Sequence, residues 1–280
     1  MSKWNIIIDI EKCEDCNNCF LACKDEHVDN DWSGITRSQP RHGHRWINIM
    51  RKERGQFPLI DVAYRPTPCM HCDEAPCIKA GGSDAIFKRE DGIVLIDPLK
   101  AEGKKELVKS CPYGAIYWND ERKVPQKCTF CAHLLDKGWE KPRCAQVCPT
   151  GALTVVKVDD KNMGIMIKNQ NLQILHPEYK TFPRVYYKNL YRFNRCFITG
   201  SVSVNSDGII DCAQGAKVTL RKNSKGVAQM VTNIYGEYKF DDLEPGPGLY
   251  ELEILYKDFE KKIISTQVNN SVSLKDTMFI

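Results

Sequence analysis

The chain has 280 residues, of which 42% are hydrophobic and 27% charged, a composition that suits a globular protein of about two domains. No apolar run approaches the roughly 20 residues needed to cross a bilayer, and the start, Met1-Ser-Lys-Trp-Asn-Ile-Ile-Ile, enters a strand-like run without a basic leader or twin arginine, so membrane insertion is excluded and a cytoplasmic location is expected. The net charge of +4 divides into +6 over residues 1–196 (31 basic, 25 acidic) and −2 over residues 197–280 (9 basic, 11 acidic).

In chain order, short apolar strands are predicted at residues 5–10, 85–87, 92–96, 115–118 and 152–157, with cysteine loops between them. The polar run Lys88-Arg-Glu-Asp-Gly92 is a hairpin signal between the second and third of these. Residues 158–196 show little periodicity and are expected to form a connector, whose later part, Arg184 to Arg195, interleaves aromatic and basic groups and reads as a strap. From residue 197 the pattern changes to short alternating strands, at 198–204, 216–221, 227–232, 237–240, 250–256 and 262–268, separated by Gly, Asn, Asp and Pro. The fold class expected is α+β: a tandem bacterial-ferredoxin-like domain over residues 1–157, the connector, and a small all-β sandwich or barrel over residues 197–280.

Twelve of the fourteen cysteines fall in short runs before residue 149. Cys13-x-x-Cys16-x-x-Cys19-x-x-x-Cys23 has the bacterial ferredoxin spacing, in which three thiolates hold one 4Fe-4S cluster and the fourth reaches a neighbouring one. Cys128-x-x-Cys131, then Cys144-x-x-x-Cys148-Pro149, is the same run with a longer insert. Exchange of fourth ligands then gives cluster one Cys13, Cys16, Cys19 and Cys148, and cluster two Cys128, Cys131, Cys144 and Cys23. Lys24 rather than proline follows Cys23, which weakens a turn signal without removing a ligand.

The middle of the chain supplies Cys69, Cys72, Cys77 and, after a gap, Cys111-Pro112, the ligands expected for cluster three. Gly81, Ala101, Lys104 and Leu107 stand where a partner cluster's four cysteines would be, so all ligands of one cluster are missing together. That pattern reads as a four-cluster ancestor that has lost one. Three clusters, each of about −2 with its thiolates, would offset the basic excess of residues 1–196, and nucleic acid need not be invoked. Structural zinc also uses Cys-x-x-Cys pairs, but it does not explain triplets followed by a distant Cys-Pro. Cys196 and Cys212 lie outside every run and read as free thiols. His71 and His133 read as groups behind the ligands, and Arg41-His-Gly-His-Arg-Trp46 as a contact loop. No nucleophile-base pair, P-loop or dinucleotide fingerprint is present, so no catalytic residue is expected.

Five stretches, Cys13-Glu-Asp-Cys-Asn-Asn-Cys19, Tyr64-Arg-Pro-Thr-Pro-Cys-Met-His-Cys72, Asp91-Gly-Ile-Val-Leu-Ile-Asp-Pro98, Lys127-Cys-Thr-Phe-Cys-Ala-His-Leu-Leu135 and Pro183-Arg-Val-Tyr-Tyr-Lys-Asn-Leu-Tyr-Arg-Phe193, resemble the iron-sulfur subunits of the molybdopterin oxidoreductase (dimethyl sulfoxide reductase) family, and most closely its transhydroxylase branch. The resemblance implies electron transfer without catalysis in this chain, and a large partner subunit that holds a molybdenum bis-pterin cofactor and acts on polyhydroxylated aromatics. It also implies a C-terminal domain of transthyretin or carboxypeptidase-regulatory type. An aromatic dehydroxylase or hydroxylase, a respiratory molybdopterin reductase, and an independent polyferredoxin remain alternatives.

Overall fold

The computed structural model describes every residue except 82–84. The chain divides into two compact units, residues 1–51 with 64–190, and residues 52–63 with 191–280. Residues 158–190, read from sequence as a connector, thus belong to the first unit. The tip of a hairpin formed by Ile47–Gln56 and Leu59–Pro68 belongs to the second.

At the centre of the first unit is a three-stranded sheet in the order Leu153–Val158, Lys3–Asp9, Val185–Lys188. The first pair is antiparallel, with Ile6 opposite Val155, and the second is parallel, with Ile6 opposite Val185. Ile6, Ile7 and Ile8 are all buried, so this strand is covered on both faces and shows a continuous apolar run rather than alternation. The helix Asp160–Asn169 begins at Asp159, whose carboxylate accepts the N–H of Asn162 at 2.8 Å. It covers one face by packing Met163, with Leu172, against Ile7.

Around the sheet lie two small hairpins, Ile86–Lys88 with Val94–Ile96 and Tyr117–Asn119 with Val124–Gln126. The first turns at Gly92, as the sequence suggested; there φ is +87°, and a Cβ would lie 2.9 Å from Cδ of Arg184. Only glycine suits both the backbone and the space. The helix Asn18–His27 carries Cys19 and Cys23 and packs on the short helix Arg143–Gln146, which carries Cys144.

The second unit has two sheets. In one, Cys196–Ser206 is flanked by Ile209–Cys212 and Glu237–Leu243 and also pairs with Val272–Ser273 and Thr277–Phe279. The other runs Lys225–Val231, Lys217–Lys222, Leu249–Leu255, Lys262–Gln267. Alternating residues of both, including Ile198, Val202, Val218, Leu220, Phe240 and Leu252, form one apolar core.

Candidate metal centres

Three of the four Cys-x-x-Cys pairs of the first unit, all but Cys16-x-x-Cys19, make the same unusual turn. The residue two places after the first cysteine has positive φ in these three: Asp15 at 55°, His71 at 46° and Phe130 at 58°. None is glycine, and the left-handed conformation costs about 1–2 kcal/mol per residue. The turn brings backbone N–H groups toward sulfur, as where the Phe130 N–H donates to Cys128 Sγ at 3.4 Å. Beyond the fourth cysteine of the middle set, the Ala115 N–H donates to Cys111 Sγ at 3.5 Å.

The thiols lie in three groups. Burial pushes the Cys19 thiol up to about 12, and Cys13, Cys16 and Cys148 add to the push. Cys16 is the exposed member of this group. Cys23, Cys128, Cys131 and Cys144 line one apolar pocket together with Ile6, His27 and Trp46. There burial drives Cys131 to about 12 and Cys128 to about 11, while Cys23 and Cys144 rise well above the ordinary thiol range. Cys69, Cys72, Cys77 and Cys111 line another pocket with His71, Val94 and Lys127. Burial and the neighbouring sulfurs raise Cys72 to about 12 and Cys77 to about 11.

The sets are also linked in a row. Cys19 acts on Cys144, joining the first group to the second, and Cys69 acts on Cys128, joining the second to the third. All these cross-influences raise the thiol pKa, because thiolates this close repel one another in a medium of low dielectric. Four such sulfurs become thiolates together only around a strongly cationic core, and the donor set and its apolar walls fit a 4Fe-4S cluster. Among the described residues, no three His, Cys, Asp or Glu side chains meet as ligands of a single ion; the cysteines instead border pockets.

Three of the four positions that lack cysteine, Gly81, Ala101 and Leu107, are packed rather than open. Ala101 and Leu107 are 0% and 1% exposed, and a Cβ on Gly81 would lie 3.2 Å from Ile86. Lys104 precedes the short helix Lys105–Ser110. Cys196 is buried in the core of the second unit, and Cys212 is exposed on its Ile209–Cys212 strand. His133 accompanies the second pocket from behind: Nε2 meets Glu26 at 2.8 Å, the ring stacks on Trp32 at 4.0 Å, and Glu26 also pairs with Arg143 at 3.2 Å. The segment 41–46 is not a free contact loop, since His44 Nε2 is bonded to the Trp118 carbonyl at 2.9 Å and Trp46 is buried at the second pocket.

Two pocket residues escaped sequence reasoning. His27 is four residues beyond Cys23 on one helix, so it occupies the same face, and burial lowers its imidazole to about 3. Lys127 is 3% exposed and lines the third pocket; its place directly before Cys128 was the available signal.

Residues 60–158 match the family model described as a 4Fe-4S dicluster domain. The chain is 49% identical over 267 residues to the pyrogallol hydroxytransferase small subunit of Pelobacter acidigallici, covering 94% of this chain and 95% of that one. It is 30% identical to the iron-sulfur subunit ArrB of the arsenate respiratory reductase of Shewanella sp. (strain ANA-3), over 66% of this chain and 95% of the relative. To the thiosulfate reductase electron transfer subunit PhsB of Salmonella typhi it is also 30% identical, over 58% of this chain and 80% of the relative. The cysteine-lined pockets and these relationships agree: the chain belongs to the iron-sulfur electron-transfer subunits of the molybdopterin oxidoreductase family.

Proposed function

We propose that this chain is the electron-transfer subunit of a cytoplasmic transhydroxylase for polyhydroxylated aromatics and carries three 4Fe-4S clusters. Cluster one is held by Cys13, Cys16, Cys19 and Cys148. Cluster two is held by Cys128, Cys131, Cys144 and Cys23, and cluster three by Cys69, Cys72, Cys77 and Cys111. The observation that carries the reading is the 49% identity to a pyrogallol hydroxytransferase small subunit along nearly the whole of both chains. The arsenate and thiosulfate reductase relatives, each at 30% identity, match only 66% and 58% of this chain. The packed positions Gly81, Ala101 and Leu107 support three clusters rather than four.

The clusters supply one-electron transfer. The residues of this chain fix the thiolates, exclude water with apolar walls, and set the row in which the cysteine groups follow one another. The proton and hydroxyl chemistry of the aromatic belongs to a large subunit with a molybdenum bis-pterin cofactor. In this reading residues 1–157 are the cluster domain, 158–196 complete and follow it, and 197–280 form a transthyretin or carboxypeptidase-regulatory type sandwich.

Anaerobic purification of the complex tests the proposal. About twelve iron and twelve sulfide per small subunit are expected, with molybdenum in the large one and turnover of two phenols in the absence of any net oxidant or reductant. A requirement for an external electron donor would favour the dehydroxylase or respiratory alternative, and isolation as an active monomer the polyferredoxin.

A further inference from the structure

Among the described residues, the third pocket contains a buried hydrogen-bond donor without an acceptor, on His71, and a buried cation without a carboxylate partner, on Lys127. His71 is 1% exposed and lines the pocket. Its Nδ1 lies 3.0 Å from the backbone N–H of Val94, and because an amide only donates, Nδ1 is the acceptor. The neutral ring therefore carries its proton on Nε2. Nε2 is buried and has no hydrogen-bond partner. An N–H left in this state costs about 1–3 kcal/mol, and the apolar lining residues Val94 and Ile116 offer no side-chain acceptor.

Lys127 stands beside it. Its ammonium donates to the Val94 carbonyl and, at 3.1 Å, to the Cys128 carbonyl. Among the described residues no carboxylate forms an ion pair with it. A buried cation without an anion is costly by several kcal/mol. One residue, Val94, thus holds both side chains: its N–H orients His71 and its C=O anchors Lys127.

We propose that His71 Nε2–H and the Lys127 ammonium act on the cluster of Cys69, Cys72, Cys77 and Cys111, the histidine as a hydrogen-bond donor to a cluster sulfur and the lysine as the facing charge, and that together they raise its reduction potential. This rests on the three-cluster reading above. When that cluster accepts one electron, from a neighbouring cluster or from a chemical reductant such as dithionite, its negative charge grows by one. A fixed donor and a fixed cation then stabilise the reduced form more than the oxidised form.

The test is a redox titration of the purified complex, followed by low-temperature paramagnetic resonance, on His71→Leu and Lys127→Met. The signal to follow is the one that Cys111→Ala removes. Each variant is expected to keep about twelve iron atoms and to lower the reduced-to-oxidised ratio at fixed poise about tenfold, a downward shift of about 59 mV for a one-electron couple. Full iron with an unmoved potential overturns the inference while leaving the three-cluster reading intact. Iron near eight in the unmodified complex overturns the reading itself. Should the variants fail to assemble, the unmodified complex labelled with 15N in its histidine rings serves instead: a 15N coupling to that cluster in its reduced state is expected, and its absence overturns the histidine's role.

Discussion

Arg184 and Asp73 are joined at two points: Nε of the arginine donates to one carboxylate oxygen at 2.7 Å and Nη2 to the other at 2.5 Å. The guanidinium is buried, at 2% exposure, and Asp73 directly follows Cys72. The main chain of Arg184 continues the tie, since its N–H donates to the Met70 carbonyl at 2.9 Å and its carbonyl accepts from the Ile6 N–H at 3.0 Å. One residue therefore fastens the loop of the third pocket to the central strand.

Replacing Arg184 by Met leaves Asp73 with Lys88, 2.8 Å away, as its remaining cation. Loss of one partner from such a pair costs about 3 kcal/mol. Iron should fall from about twelve toward about eight per chain, because the third cluster is lost first. Lysine at this position should rescue little, having no planar fork with which to match a carboxylate. Iron analysis beside a thermal melt checks this; a variant with full iron and an unchanged Tm would show the pair to be dispensable.

Ligand exchange is a second test. Cys23 lies with Cys128, Cys131 and Cys144 at one pocket, although it follows Cys19 in sequence. Cys23→Ala should remove the same resonance signal as Cys131→Ala, and Cys148→Ala the same one as Cys13→Ala. If Cys23→Ala matched Cys13→Ala instead, each run would be serving its own cluster.

The two cysteines of the second unit should behave differently from each other and from the rest. Cys196→Ser and Cys212→Ser should both retain about twelve iron atoms. Cys196 is buried in the apolar core, so its hydroxyl replacement should destabilise by about 1–2 kcal/mol. Exposed Cys212 should tolerate serine within about 0.5 kcal/mol and be the first of the pair to react with an alkylating reagent. Mass spectrometry after brief labelling identifies the order.

Acid should weaken the second unit through Asp61. Burial alone would raise its carboxyl, but Arg54 and Arg192, the latter at 2.7 Å, outweigh burial and hold it at about 2. Since the folded value lies below the unfolded one of about 3.9, the stabilisation is complete above that pH and is lost as pH falls toward 2. Asp61→Asn should remove about 1–2 kcal/mol at neutral pH and flatten the acid limb of the unfolding curve between about pH 4 and pH 2. An unaltered acid limb would assign that limb to other carboxylates.

The cysteine runs were legible because their spacing is a local code, and the second unit because buried residues alternate with more exposed ones in strands such as Glu237–Leu243 and Leu249–Leu255. The hairpin Ile47–Gln56 with Leu59–Pro68 was not, since Met50-Arg-Lys-Glu53 is exposed over consecutive positions and breaks the period-two signal. Val185–Lys188 was read as part of a strap because aromatic and basic residues interleave there, yet Val185 and Tyr187 are fully buried in the first unit's sheet. Arg184 was read as the start of the same strap; its burial depends on Asp73 and Asp160, distant positions that no local pattern connects to it.

The membership of residues 52–63 in the second unit also bears on biosynthesis. Arg54 is buried, and its guanidinium bonds Asp241 at 2.9 and 3.0 Å, but that aspartate is translated long after it. At about 5–20 residues per second, the nascent chain waits roughly ten seconds or more, with the hairpin tip emerged and Arg54 paired at most with Asp61 while Asp241 is still unmade. The cysteines up to Cys148 are all outside the ribosome before that unit can close. Iron delivery during translation thus has an interval in which all twelve cysteines of the three groups are available while the last strands, through Thr277–Phe279, have yet to appear.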